Sequence, residues 1–251
     1  MRTPTRPPLR TSNPALREDV FTAPRTDGSG TMTVQGTVDK TALLLLLALA
    51  TASASWVLGT GGGPGVAGWA LGASLAGLVV AIATIFRPRW APVTGPIYAL
   101  LEGVVLGVVS MWFEARYRGI AIQAVALTFG VLGAMLALYR TRVIKVTQRF
   151  RAGVLAATLA IFVVYLVALV LGLFGVQVPL LNDASPLGIL ISLAIVVVAA
   201  LNLVLDFDLI DRGARSGAPA YMEWYAAFGL LVTLVWLYLE LLRLLAKLRE
   251  R

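Results

Sequence analysis

The stretch Ala184-Ser-Pro-Leu-Gly-Ile-Leu-Ile-Ser-Leu-Ala-Ile-Val-Val-Val-Ala-Ala-Leu-Asn202-Leu-Val-Leu-Asp206-Phe-Asp208-Leu-Ile-Asp211 joins a membrane-length apolar run to a group of acids. Residues 184–205 are 22 consecutive uncharged positions, enough to cross a bilayer, which takes about 20. Three carboxylates follow within six positions. An Asp at the centre of a membrane helix costs roughly 2.5–3.5 kcal/mol, and less near the interface. Ionisable groups at that depth point to ion or proton chemistry. The plainer reading, that the acids mark where the helix leaves the membrane, suits Asp211 better than Asp206 or Asp208.

Working outward, the 251 residues are 59% hydrophobic and only 14% charged, with a mean hydropathy of +0.85. Soluble domains carry about 25% charged residues. The expected class is therefore all-α, a polytopic membrane protein. Cys and His are both absent. Disulfides, thiolate zinc sites, Ser-His and Cys-His catalysis and a histidine pH switch are thereby excluded. A Ser protease would need a Lys or His inside a span, and none lies there, so no enzyme is expected. Composition implies no cofactor. The net charge of +8 falls in segments flanking the spans, where it suits anionic lipid headgroups rather than nucleic acid.

Residues 1–38, rich in Pro, Thr, Arg, Ser and Gly, read as a disordered cytoplasmic tail, with a membrane domain over 39–251. Seven spans are predicted, at about 41–58, 66–86, 93–113, 119–139, 152–175, 186–208 and 220–242, the first retained as a helix rather than cleaved. With the N-terminus in the cytoplasm, inside segments hold 15 basic residues and outside loops 2. That asymmetry follows the positive-inside rule. The basic residues Arg243, Lys247, Arg249 and Arg251 would then lie outside, so the last span either crosses with help from its neighbours or crosses incompletely. Gly68/Gly72 and Gly103/Gly107 each form a G-x-x-x-G that allows close helix approach.

Glu102 lies at the middle of the third span, either as a functional carboxyl or as a helix–helix hydrogen-bonding group. Asp206 and Asp208 point about 200° apart on a helix, so they cannot chelate one ion together unless it unwinds. One of them must face inward and needs a partner from another span. Asp208/Arg212 and Asp211/Arg215 have the i,i+4 spacing of local ion pairs. Asn202, one turn before Asp206, extends the polar stripe into the membrane. On the seventh span, Glu223 lies at the cytoplasmic start, Thr233 in the middle, and Glu240 at the far end, three residues from Arg243 as in a surface pair.

Further segments are Thr33-Val-Gln-Gly-Thr-Val-Asp39, Ile97-Tyr-Ala-Leu-Leu-Glu102-Gly-Val-Val-Leu-Gly107, Tyr221-Met-Glu-Trp-Tyr225 and Leu237-Tyr-Leu-Glu-Leu-Leu-Arg243. With Asn202-Leu-Val-Leu-Asp-Phe-Asp208, their order and spacing resemble the Bax inhibitor-1/YccA family (transmembrane Bax-inhibitor-motif proteins), in a bacterial branch with a long tail. The resemblance covers roughly residues 33–246. It implies a seven-helix bundle with a central last helix and a pH-sensitive Ca2+ leak in the bacterial cytoplasmic membrane. It also implies an Asp on helix six sharing a proton with an Asp on helix seven, with an Arg at the end of helix two nearby. Two close carboxylates cannot both ionise without a cation, so such a pair can sense pH.

Carried onto this chain, the helix-six acid is Asp208, with Asp206 as second choice, and both are candidate metal ligands. The Arg is Arg87 or Arg89. The helix-seven position falls on Val232 or Thr233, which do not ionise, so the chain departs from the family there and Glu102 or Glu223 would have to supply the second acid. A second function follows from the YccA resemblance and the basic tail: a non-conducting regulator that binds a membrane protease or another membrane protein.

Overall fold

The computed structural model describes residues 30–61, 65–175 and 183–250. Seven helices carry them. These are α1 (Val34–Thr60), α2 (Val66–Phe86), α3 (Ala91–Arg116), α4 (Ile120–Arg140), α5 (Gln148–Leu173), α6 (Pro186–Ser216) and α7 (Met222–Arg249), with one 3-10 turn at Pro88–Trp90. All seven are long and apolar enough to span a membrane. The chain is thus an all-α, multi-pass membrane bundle. Its helices overrun the expected spans by up to two turns, because a helix stops at its caps and not where hydrocarbon ends. For α6 the punctuation is local: Ser185 accepts the Gly188 N–H, Pro186 opens the first turn, and Gly217 closes the helix at φ 69°.

We call the end holding the starts of α1, α3, α5 and α7 the base. There the expectation of a disordered tail through residue 38 fails. Met32 is buried, its N–H donates to the Ala218 carbonyl at 2.7 Å, and Gly30 accepts from Ala220 at 2.9 Å. Thr33 caps α1, and its N–H and hydroxyl both donate to Glu223 Oε1 at 2.8 Å. Lys40 pairs with the other oxygen, Oε2. Gly36 leaves room for this carboxylate, since a Cβ there would sit 2.3 Å from Glu223 Oε1. Residues 1–29 lie outside the described residues.

α7 is the axis. Of its most apolar window 72% is buried, against 6% for α5, and it packs on α1, α3, α4 and α6. Without a hydrophobic drive between helices in lipid, association rests on close backbone approach. Gly103 and Gly107 supply it between α1 and α3: a Cβ on either would meet an α1 backbone carbonyl oxygen, Ala48 or Ala52, at 2.2 Å. Gly68 and Gly72 form the same motif, but among the described residues nothing lies within 4 Å of a Cβ built on either. Among those residues the motif brings helices together once, not twice.

Gly103→Ala or Gly107→Ala should force α1 and α3 apart and cost about 1–3 kcal/mol. Gly72→Ala should be neutral or stabilising by roughly 0.5–1 kcal/mol. Thermal unfolding in detergent micelles measures both; a Gly103→Ala protein melting with wild type would contradict the close α1–α3 contact.

Candidate functional site

One face of α5 carries Arg151, Thr158 and Tyr165, seven residues apart and therefore stacked along the helix. Each meets a polar group of α6 or α7, and together they form a seam from the base to the far end. At the base, Arg151 and Arg212 both pair with Asp208 Oδ2, the Arg212 bond being 2.6 Å. Arg151 is buried in the first turns of α5, where the helix dipole disfavours a cation, so Asp208 offsets both desolvation and dipole. Higher up, Asn202 donates from Nδ2 to Thr158 Oγ1 at 2.8 Å and to the Val198 carbonyl at 2.9 Å. Above that, Glu240 is 2% exposed. It accepts from Tyr165 at 2.7 Å and from Arg243 at 2.9 and 3.0 Å, while Arg243 also donates to the Tyr165 oxygen at 2.5 Å. At the far end the buried Lys247 donates to Ser192 Oγ at 2.9 Å and to the Gly188 carbonyl at 3.2 Å.

The expected opposition of the two α6 acids holds. Asp206 is 1% exposed inside the bundle, while Asp208 turns toward α5. They do not form a shared metal site, and no group of three or more acids able to hold a metal occurs among the described residues. Asp208 also lines a basal cavity of about 920 Å3 with Asp211. Asp211 pairs with Arg215 at 2.7 Å and accepts from Tyr139 at 3.3 Å, as its boundary reading predicts.

The arginine partner differs from the expected one. Arg87 and Arg89 are both exposed, Arg87 lies over the Trp90 ring, and neither joins an ion pair among the described residues. Arg151 and Arg212 take that place. Neither proposed substitute acid reaches Asp208. Glu102 sits beside Tyr98 and faces α2 at Gly77, and Glu223 is consumed by Thr33 and Lys40. Thr233 is buried and donates to its own helix at the Gly229 carbonyl, 3.3 Å away. Glu240 has the expected i,i+3 partner, but the carboxylate itself is buried against α5 rather than on the surface.

A model of the Bax inhibitor 1 like family matches residues 13–250. The chain belongs to that family. No curated protein and no solved structure matches it. Within this family member, Arg151, Thr158, Tyr165 and Lys247 are the site residues that reading motif by motif passes over. Three of them were detectable, because the heptad spacing 151/158/165 puts the polar groups beyond the first turn of an apolar helix on one line.

Removing one partner of the basal pair leaves a buried charge. Asp208→Asn should therefore destabilise by on the order of 3 kcal/mol, and adding Arg151→Gln should return part of that loss. Arg215→Gln, at an exposed pair, should change stability by less than about 1 kcal/mol. Detergent-phase melting of the single and double variants tests the coupling; strictly additive losses would mean that Asp208 and Arg151 act independently.

Proposed function

We propose that this protein is a gated cation leak of the bacterial cytoplasmic membrane, conducting Ca2+ or H+ along the α5–α6–α7 seam, with Asp208 as its gate. The observation that carries this reading is the pairing of one α6 carboxylate with two arginines, one of them from α5, the helix least packed into the bundle. Loss of the Asp208 charge, or of either arginine, would dissolve the pairing and bias the position of α5. Oxygen ligands suit Ca2+. The basic groups Arg243 and Lys247 along the seam suit protons better than a doubly charged ion, so the transported ion is read by the assay rather than fixed in advance.

The orientation belongs to the same proposal. The excess of basic residues at the base supports a cytoplasmic base and N-terminus. Three of the four basic residues near the C-terminus are held by the bundle: Arg243 by Glu240, Lys247 by Ser192, and Arg249 by Gln123 and the Arg118 carbonyl. That supports a full seventh crossing despite the positive charge.

In proteoliposomes loaded with Ca2+- and pH-sensitive dyes, Arg151→Gln should raise basal flux severalfold. Asp208→Asn, which removes the charge both arginines answer, should raise it likewise. Equal flux in wild type and both variants would refute the gate.

A second reading, a non-conducting regulator of a membrane protease or stress response, is favoured by the saturation of Asp208 by two arginines and by the family match reaching back to residue 13. Deleting residues 1–29, which spares the Thr33–Glu223 staple, should remove a co-purifying membrane partner if this reading holds, and leave flux unchanged if the leak does.

A further inference from the structure

α1 and α4 both pack on α7 but barely on each other, and the gap between them is an open crevice. At the base it is the cavity of about 920 Å3, bounded by α1, α4, the 141–147 loop and α6. Beyond Ala42 and Leu45, which line both compartments, it continues as a second cavity of about 790 Å3 along α7.

The two compartments differ in chemistry. Arg140, Arg142, Lys145 and Arg215 line the basal one. Arg215 is engaged by Asp211, whereas Arg140, Arg142 and Lys145 have no acidic partner among the described residues. The loop that carries Arg142 and Lys145 is folded back on α4, which ends at Arg140: the Arg142 N–H donates to the Tyr139 carbonyl and the Ile144 N–H to the Leu138 carbonyl, at 3.1 and 3.3 Å. Arg142 holds φ 58°, a left-handed conformation usually left to glycine at a helix end. The upper compartment is apolar, with Leu231, Leu234 and Val235 of α7 in its lining. Its α1 wall from Ala42 to Val57 runs about 22 Å at 1.5 Å per residue. One leaflet of hydrocarbon is about 15 Å deep.

We propose that this crevice binds one anionic phospholipid of the surrounding bilayer, its headgroup phosphate on Arg140, Arg142 and Lys145 and an acyl chain along α7 between α1 and α4. A free phosphate would satisfy the rim and leave the apolar reach empty. A neutral lipid would fill the reach and leave three cations unanswered. Leu46 and Leu49 of α1 and Ile122 and Phe129 of α4 line the upper compartment and are exposed, so its mouth is apolar, as suits membrane depth.

Native mass spectrometry of the full chain with phosphatidylglycerol and phosphatidylcholine tests the assignment. The wild type should retain phosphatidylglycerol on the order of a hundredfold better. The triple variant Arg140→Gln, Arg142→Gln, Lys145→Gln should lose that preference, each basic residue contributing roughly fivefold. Ala42→Trp, at an exposed position where the compartments meet, should weaken both lipids. Arg116→Gln with Arg118→Gln at the opposite end should leave retention as in wild type. The proposal is overturned if the triple variant keeps its preference, if Ala42→Trp retains lipid normally, or if inorganic phosphate at equal concentration displaces the lipid.

Discussion

A helix surrounded by other helices has no lipid face and no water face, so each polar side chain on it must be answered by a neighbour. α7 is in that position, and the rest of the bundle can be read as those answers. Glu223 at its base is met by the cap of α1, Glu240 by Tyr165 of α5, Lys247 by Ser192 of α6, and Tyr238 by the Ser110 hydroxyl of α3 at 2.6 Å. An unpaired polar group in such surroundings costs several kcal/mol. The contacts therefore fix which helix stands beside which, at what height, more firmly than apolar packing alone, which in lipid discriminates weakly between one register and the next.

The same requirement divides the acids into two kinds. Glu223 binds Thr33 and Lys40 at the start of α1 and so ties the chain before the first span to the turn between α6 and α7. It is a fastening. Asp208 is held by arginines at the edge of a cavity, on the α5 side of the bundle, where packing is loosest. On α7 the middle positions Val232 and Thr233 do not ionise, and Asp208 is answered by two arginines, Arg151 and Arg212.

Membrane crossings are legible in a sequence because the cost of charge in hydrocarbon is local and large. The seven apolar runs, the long α6 and the acids at its end could all be read that way. So could the i,i+4 pairs of Asp208 with Arg212 and Asp211 with Arg215, since a helix fixes that spacing by itself. What the neighbouring helix brings could not be read. Arg151 is separated from Asp208 by 57 positions, and Tyr165 from Glu240 by 75. Two identical G-x-x-x-G motifs had equal standing until one was found against α1 and the other against nothing.

By itself, then, the amino-acid order determined the class of protein, the number and nearly the limits of its helices, the chemistries open to a chain without His or Cys, and the family. Tertiary structure alone decided that residues 30–33 belong to the bundle, that Glu240 is internal, that Arg151 rather than Arg87 or Arg89 attends Asp208, and that α1 and α4 stand apart over α7. The reason is range. Hydropathy, capping and i,i+4 pairing act within a few residues along the chain, whereas a buried charge is balanced by whatever lies within a few ångströms of it, wherever in the sequence that group resides.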